Sequence, residues 1–559
     1  MCGIAGIYYF DGPPAPDTDA RGRVMGMLHS MRHRGPDFAG CNTYGGKCTL
    51  GMGRLAIVNT ACEEAPYTNA DDSLALVFNG QFYNYQEYEA RLLQKYEYKC
   101  RSDTETLLHC FEEYGLGILD QVNGMYAVAL YDSRKDELHL IRDKAGEKFL
   151  YVYEDHEKVV FASEIKAILE IVAPVEQSCK TYDLFEACLG ADTLFKNIKL
   201  IEPGYYLKFS GRQRRYVCYW NIMDKLIEVP DDRAKIKRDL TELICDAIAV
   251  RTAVSAYPYC CLVSGGVDSA LIACIKKPEH LFSVTYENEG LGAEFSEIEY
   301  AQAVADHIGK ELVIVRPTRD DFEHYRETIA WHLDTPATWT GFNYFMIFQQ
   351  VAKVSRVALM GEGMDELFGG YHRYHFLYHD QQIQQLEALE NYAYLINKYY
   401  GDPAERYIKL INRSDKLSLP EYERFMREIV KPFFDFYGDV VHAMGSFDFY
   451  YTMQIMLQMS DRMSMAHSVE SRSPFLDHRL IQYAFSMPSS YKINRGVTKE
   501  IIKDIARQFI PASIVERKDK RGFVVPFNHW YGRFKNGKYD RTLYRDTVYA
   551  DWKKVFFHN

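Results

Sequence analysis

At 559 residues, with 47% hydrophobic, 14% aromatic and 26% charged side chains, the chain is too long for one hydrophobic core and too apolar for a disordered protein. A formal net charge of −11, with Lys and Arg interleaved among the acids, excludes the basic stripe of a nucleic-acid binder. No stretch reaches membrane-spanning length, and the thirteen cysteines show neither a disulfide framework nor CxxC spacing, so a cytoplasmic protein with reduced thiols, no structural zinc and no membrane partner is expected.

The chain opens MCGIAGIYY. Removal of Met1 would leave Cys2 first, placing a thiol and a free α-amine on one carbon skeleton, a nucleophile with its own base. Residues 1–210 are strand-rich: CGIAGIYYF, KCTLGMGRLAIV, SLALVFNGQFYN, MYAVALYDSRKDELHLIRD and KFLYVYEDHEKVVFAS, with a hairpin predicted across Ser133–Asp136. Two helical patterns, YQEYEARLLQKYEY and DTETLLHCFEEYG, interrupt them, so an antiparallel sheet packed with helices is expected here. Residues 211–235 lose the alternation, gain charge and read as a linker. From 236 to 559 the rhythm is different. A helix with Leu240, Leu243, Ile244, Ala247 and Ile248 on one face precedes the short apolar strands PYCCLV, HLFSVTY, ELVIV and RVALM, each followed by a helix. That alternation predicts a doubly wound parallel sheet with its ligands beyond the carboxyl ends of the strands. The C-terminal third, including QQLEALENYAYLINKYY and YYTMQIMLQMS, reads as a helical extension. The fold class is therefore α/β in two domains.

After PYCCLV come Ser264, Gly265, Gly266, Val267, Asp268 and Ser269, then a helix. Two glycines between strand and helix let backbone N–H groups converge on an anion at the positive end of the helix dipole. The spacing is not that of a Walker loop, and the Lys that reaches a terminal phosphate there is missing. A second loop, Gly361-Glu362-Gly363-Met364-Asp365, follows RVALM. Asp268 and Asp365, one after each strand, form a pair suited to sharing Mg²⁺ between phosphate oxygens, although a lone Asp in either place would read as a helix cap.

SGGVDS resembles the pyrophosphatase-type loop of ligases that cleave ATP between its α- and β-phosphates. Cys2, Arg54, Asn79-Gly80 and Asp103, with RGPD at Arg34–Asp37, are similar to the glutamine amidotransferases that use an N-terminal cysteine. With GEGMDELFGGY, DRMSMAHSVESRSPFLDH and RKDKRGFVVPF, nearly the whole chain resembles the glutamine-hydrolysing asparagine synthetase family. The resemblance implies an N-terminal-nucleophile sandwich in which Cys2 attacks glutamine, Asn79 and Gly80 form the oxyanion hole, and Arg54, Asn79 and Asp103 bind the amino acid. In the second domain it implies that ATP and pyrophosphate contact Val263, Ser264, Gly265, Gly266, Val267, Asp268, Ser269, Val284, Met360, Gly361, Glu362 and Lys499. Glu362, Glu470 and Lys499 are its catalytic residues there, and Asp268 and Asp365 its Mg²⁺ ligands. Ammonia would pass through a sheltered passage to an adenylated carboxylate, aspartate first, and a homodimer is a family expectation.

Three positions depart from the family pattern. Gln81 stands where Glu is common after Asn-Gly, Met360 where Ser is usual, and DTPATWTGFNYFMIFQQVA puts Trp339 and Phe342 in a segment usually more polar. A bulkier wall there points to a second reading, another carboxylate acceptor such as a sugar acid or peptide side chain. A third reading, a silent metabolite-binding relative, runs against the joint presence of Cys2, Asp268, Asp365 and Lys499.

Overall fold

The computed structural model describes residues 2–12, 19–287, 296–336, 339–374, 402–411, 419–517, 525–531, 534–535, 538–539 and 541–557. Strand β1 (Cys2–Tyr9) is buried along its whole length. Ala5, Ile7 and Tyr9 pack toward the helix Ala20–Ser30, while Cys2, Ile4 and Tyr8 face a second sheet. A strand covered on both faces has no polar side to alternate with, hence the unbroken apolar run. β1 pairs antiparallel with β3 (Cys48–Arg54) and β9 (Lys158–Ala162). β2 (Phe38–Tyr44), β8 (Tyr151–Glu154) and β10 (Ile198–Leu200) complete that six-stranded sheet.

The second sheet has the order β12-β11-β7-β6-β5-β4, from β4 (Tyr67–Thr68), β5 (Leu74–Phe82), β6 (Gly124–Asp132), β7 (Glu137–Arg142), β11 (Tyr205–Ser210) and β12 (Gln213–Cys218). The β6–β7 hairpin turns across Ser133–Asp136, with Asp136 at φ 52°. β12 falls inside the stretch read as a linker. It pairs with β11 as an exposed edge strand carrying Arg214 and Arg215, and the charge that guards an edge also erases the alternation that announces a strand.

The second domain is built on a five-stranded, wholly parallel sheet. Its order is β15 (Leu312–Val315), β14 (His280–Val284), β13 (Tyr259–Leu262), β16 (Val357–Leu359), β17 (Glu470–Arg472). The chain winds outward from β13 through β14 to β15, then returns to the other side of β13 with β16. The crevice between the carboxyl ends of β13 and β16 is thus the topological switch point. β17 has no apolar run to betray it, because its Glu470 and Arg472 are buried as a pair. Helices follow from Pro403 onward, and Pro403–Ile411 packs with Lys431–Tyr437 and Val440–Phe447 in a cluster of its own, whereas QQLEALENYAYLINKYY and most of RKDKRGF lie outside the described residues. Cys62 and Cys100 form a disulfide, which corrects the expectation that every thiol is free. They lie 38 residues apart in sequence and only the fold brings them together. Among the described residues no helix is long and apolar enough to cross a membrane.

The two domains are joined by fully buried charges. Arg34 donates to Asp461 at 2.9 and 3.2 Å and to Glu164 at 2.8 Å. Arg462 pairs with Glu164 at 2.9 Å, and Lys166 bridges Glu164 and Asp334 at 2.5 and 2.8 Å. At the rim Asp37 pairs with Arg356, so both ends of the RGPD stretch bind the second domain. Asp461→Ala takes from Arg34 one of its two buried carboxylates and from Lys148 its partner at 3.5 Å; a loss of about 3–5 kcal/mol is expected in denaturant unfolding. An unchanged midpoint would show that the network does not hold the domains.

Candidate active site

Because Cys2 shares its β1 face with Ile4 and Tyr8, its side chain meets β5 of the facing sheet, where Asn79 lies. The Cys2 N–H donates to Asn79 Oδ1 at 3.1 Å, and Asn79 Nδ2 reaches Ser163 Oγ at 3.4 Å. Burial raises the Cys2 thiol above its ordinary value, opposed by the Leu55 backbone and the Arg54 charge. At Gly80 any Cβ would strike the Met125 carbonyl, so the residue beside Asn79 must be glycine. Arg54 stands opposite Cys2 in the β1–β3 register, its Nη2 held by the carbonyls of Val58 and Asn59 at 2.9 and 2.8 Å. Asp103 opens the helix Asp103–Tyr114 and accepts from Phe82 N–H at 3.1 Å, Thr104 N–H at 2.9 Å and Gln81 Nε2 at 2.8 Å. Burial pushes its carboxyl up to about 6, against the two backbone donors.

Gln81, the departure noted after Asn-Gly, spans the domain junction. Its Oε1 accepts from Arg472 Nη2 at 3.2 Å, Arg472 Nε donates to Glu470 at 2.6 Å, and Arg472 Nη1 is anchored on the carbonyls of Arg251 and Val254. An amide suits this place because it donates to one charged neighbour and accepts from the other. Burial alone would raise the Glu470 carboxyl, yet surrounding positive charges, Arg472 and Lys148 among them, hold it down at about 2. Glu470 therefore faces the junction.

At the switch point the loop after β13 and the loop after β16 share a pocket of about 410 Å³, lined among others by Val263, Ser264, Asp268, Ser269, Met360, Gly361, Glu362 and Asp365. Gly265 takes φ +74° and Gly266 caps the helix Val267–Lys276. Lys499 Nζ donates to both oxygens of Asp268 at 2.7 Å and pairs with Asp365 at 2.5 Å. Lys499 itself sits in the left-handed region at φ 53°, which costs a non-glycine residue about 1–2 kcal/mol. Gly370 makes room for this contact, since a Cβ there would collide with the Asp365 carboxylate and the Lys499 stem. Glu362 accepts from Ser473 Oγ at 3.0 Å, Ser460 Oγ at 3.2 Å and Tyr344 O–H at 3.3 Å. Its carboxyl is pushed up to about 7 by burial, opposed by those three donors.

Of the residues expected to contact the nucleotide, Gly265, Gly266, Val267, Val284 and Lys499 do not line this pocket, whereas Phe282 and Ser283, strand neighbours of Val284, do. Phe342, expected in the acceptor wall, instead packs in the core against Phe322, with ring centres 5.4 Å apart. Tyr344 and Ile347, from the same helix Trp339–Val351, line the pocket, and the side chain of Trp339 lies outside the described residues. Ser460, Ser473 and Tyr344 were invisible to motif reasoning because three separate segments deliver them to one carboxylate.

A cysteine-led antiparallel sandwich fused to a phosphate loop at a parallel switch point defines a glutamine amidotransferase joined to an ATP-using ligase. Residues 1–220 match the glutamine amidotransferase domain model and residues 239–548 the asparagine synthase model. The chain belongs to the asparagine synthase family, and its two domains carry glutamine-dependent, ATP-driven amidation. It is 28% identical to asparagine synthetase [glutamine-hydrolyzing] 1 of Bacillus subtilis, over 95% of this chain and 88% of that protein. A putative asparagine synthetase [glutamine-hydrolyzing] of Mycobacterium tuberculosis H37Rv is 28% identical over the same shares. Amidase chry2 of Gibberella zeae is 24% identical over 99% of this chain and 94% of its own.

Gly370→Ala is expected to part Lys499 from Asp365 and lower stability by about 1–3 kcal/mol, read by thermal unfolding. A variant as stable as the parent would contradict the crowding described.

Proposed function

We propose that the protein makes asparagine from aspartate, glutamine and ATP, releasing glutamate, AMP and pyrophosphate. The observation that supports this most directly is the gathering of Asp268 and Asp365 on Lys499 in the pocket that also holds Glu362. In this reading the glutaminase module runs through β12 and the synthetase module begins with the helix Arg233–Arg251.

Met1 is removed, and the α-amine of Cys2 takes the thiol proton as sulfur attacks the glutamine side-chain amide. The oxyanion is met by Asn79 Nδ2 and Gly80 N–H; ammonia leaves and water clears the thioester. Arg54 pairs with the glutamine α-carboxylate and Asp103 with its ammonium. In the second module the Ser264–Ser269 loop grips the pyrophosphate end of ATP while Val263 and Gly361 contact the nucleotide. The acceptor carboxylate displaces pyrophosphate to form an acyl-adenylate, and Lys499 balances the charge that develops. Asp268 and Asp365, drawn to one ammonium, are a donor pair that fits Mg²⁺, which when bound supplies neutralisation of phosphate charge. Ammonia then attacks the activated carbonyl, and Glu362 takes the proton the new amide must lose. We assign the reaction to the cytoplasm, where both glutamine and ATP are available.

One observation favours a second acceptor class. Tyr344, Ile347, Met360, Met453 and Met456 give the pocket an apolar wall that suits a carboxylate on a larger, less polar body. Pyrophosphate release measured with glutamine, ATP, Mg²⁺ and a panel of acids decides the matter: dependence on aspartate supports the first reading, and dependence only on another acid replaces it.

Cys2→Ala should abolish use of glutamine and leave synthesis from ammonium salts, whereas Asp268→Asn should stop pyrophosphate release and spare glutamate formation. Equal loss of both reactions in either variant would contradict two separable modules. The pH dependence follows from Asp103. Its carboxyl must be ionised to hold an ammonium, and its raised value of about 6 means that protonation removes this contact as pH falls. The kcat/KM for glutamine should therefore drop about tenfold per unit below pH 6, and a flat profile from pH 7 to 5 would refute the role of Asp103.

A further inference from the structure

The Cys62–Cys100 disulfide joins the two loops that carry the residues assigned to grip glutamine. Cys62 lies in the loop after β3, which also anchors Arg54. The Asn59 carbonyl accepts from Arg54 Nη2 at 2.8 Å and from Cys62 N–H at 3.2 Å, so the sulfur and the Arg54 anchor share one turn. Cys100 lies in the loop that leads into Asp103. Its N–H and that of Arg101 both donate to Glu105 at 2.8 Å, in the first turn of the helix that Asp103 opens. Tyr67 connects the bridge to the site: its hydroxyl donates to Cys62 Sγ at 3.6 Å and accepts from Ser102 Oγ at 3.5 Å, in the field of Arg54, Asp103 and Cys2. Beside the disulfide, Asn59 Nδ2 donates to the Cys100 carbonyl and Lys99 reaches Glu64 at 3.5 Å. Both contacts are exposed, and contacts in water hold loops weakly.

In a compartment kept reducing, as the cytoplasm assigned above is, a disulfide is open to exchange with thiols and serves as a sensor more often than as a staple. Cys62 is buried but Cys100 is only half-buried, so one sulfur lies within reach of an attacking thiolate. We infer that Cys62–Cys100 is a thiol-exchange site through which a dithiol reductant loosens the grip of the first domain on glutamine. The inference rests on the amidotransferase reading above and adds to it a control by the thiol–disulfide balance. A thiolate of the reductant attacks the Cys100 sulfur, the S–S bond breaks, and Cys62 leaves as a thiolate that takes a proton. The second thiol of the reductant then attacks the mixed disulfide and releases Cys100. Two electrons pass to the protein, and the reductant closes into its own disulfide. Cys2 is already a free thiol and takes no part. With the bridge open, the loop behind Arg54 and the loop before Asp103 move independently, and glutamine must order both as it binds. The cost falls on binding, so KM rises while kcat holds.

The test takes the full-length protein purified in air, with dithiothreitol as the dithiol. It reads glutamate release against glutamine concentration and pyrophosphate release with saturating ammonium salt, while alkylation and peptide mass mapping follow Cys62 and Cys100. Reduction of the pair should raise KM for glutamine at least about threefold, with kcat and the ammonium-driven rate changed by less than about twofold. The double variant Cys62→Ala, Cys100→Ala should show the raised KM without dithiothreitol and no response to it. A KM that stays constant as the two thiols appear would overturn the inference, and so would two free thiols before any reductant is added or a double variant that still responds. An equal fall of both activities on reduction would make the bridge a support of the whole fold and overturn it as well. A wild-type protein that releases no glutamate in either state would instead refute the amidotransferase reading and take this inference with it.

Discussion

The buried charge network at the domain junction is the constraint on which the rest of the molecule depends. Arg34 touches three things at once: the carbonyl of Cys2 at 3.2 Å, Glu164 of its own domain and Asp461 of the other. One guanidinium therefore sets the position of the nucleophile strand relative to the helix Met453–Met465 of the second domain. Desolvating such charges is costly and their mutual attraction returns the cost only when the geometry is good. The gain is register. Hydrophobic contact alone, being non-directional, would not prevent the two domains from sliding past each other.

The same logic runs through both centres. The carboxylates there are buried or half-buried, and each has its charge adjusted by what surrounds it. Glu470 is held ionised by Arg472, Asp477 by Arg251 and Arg479, while Glu362 and Glu147 are raised because their burial outweighs their partners. Carboxyl groups with well-separated protonation behaviour, set close along one junction, allow some to act as fixed charges and others as proton carriers at the same pH.

Much of this was readable from the amino acids alone. The unbroken apolar run behind Cys2, the turn at Ser133–Asp136, the glycines after PYCCLV and the alternation of strand and helix are local patterns, and each became the element it announced. What could not be read is what depends on distance. β12 looked like a linker because a guarded edge carries charge, and β17 lies in a stretch read as a helical extension because its Glu470 and Arg472 neutralise each other and leave no apolar run. Phe342 turned inward and Tyr344 outward because helix rotation, which the segment's composition does not reveal, decides which face meets the pocket. The Gln81–Arg472 bridge spans 391 positions, and Ser460 and Ser473 reach Glu362 from 98 and 111 positions away, beyond the reach of any spacing rule.

Lys499 carries a further implication. Its ammonium neutralises Asp268 and Asp365 together, so two acids delivered by the ends of two neighbouring strands share one positive charge. If these carboxylates hold Mg²⁺ as proposed above, the ion would have to compete with the Lys499 ammonium for them, and that ammonium spares the pair the repulsion of two bare charges.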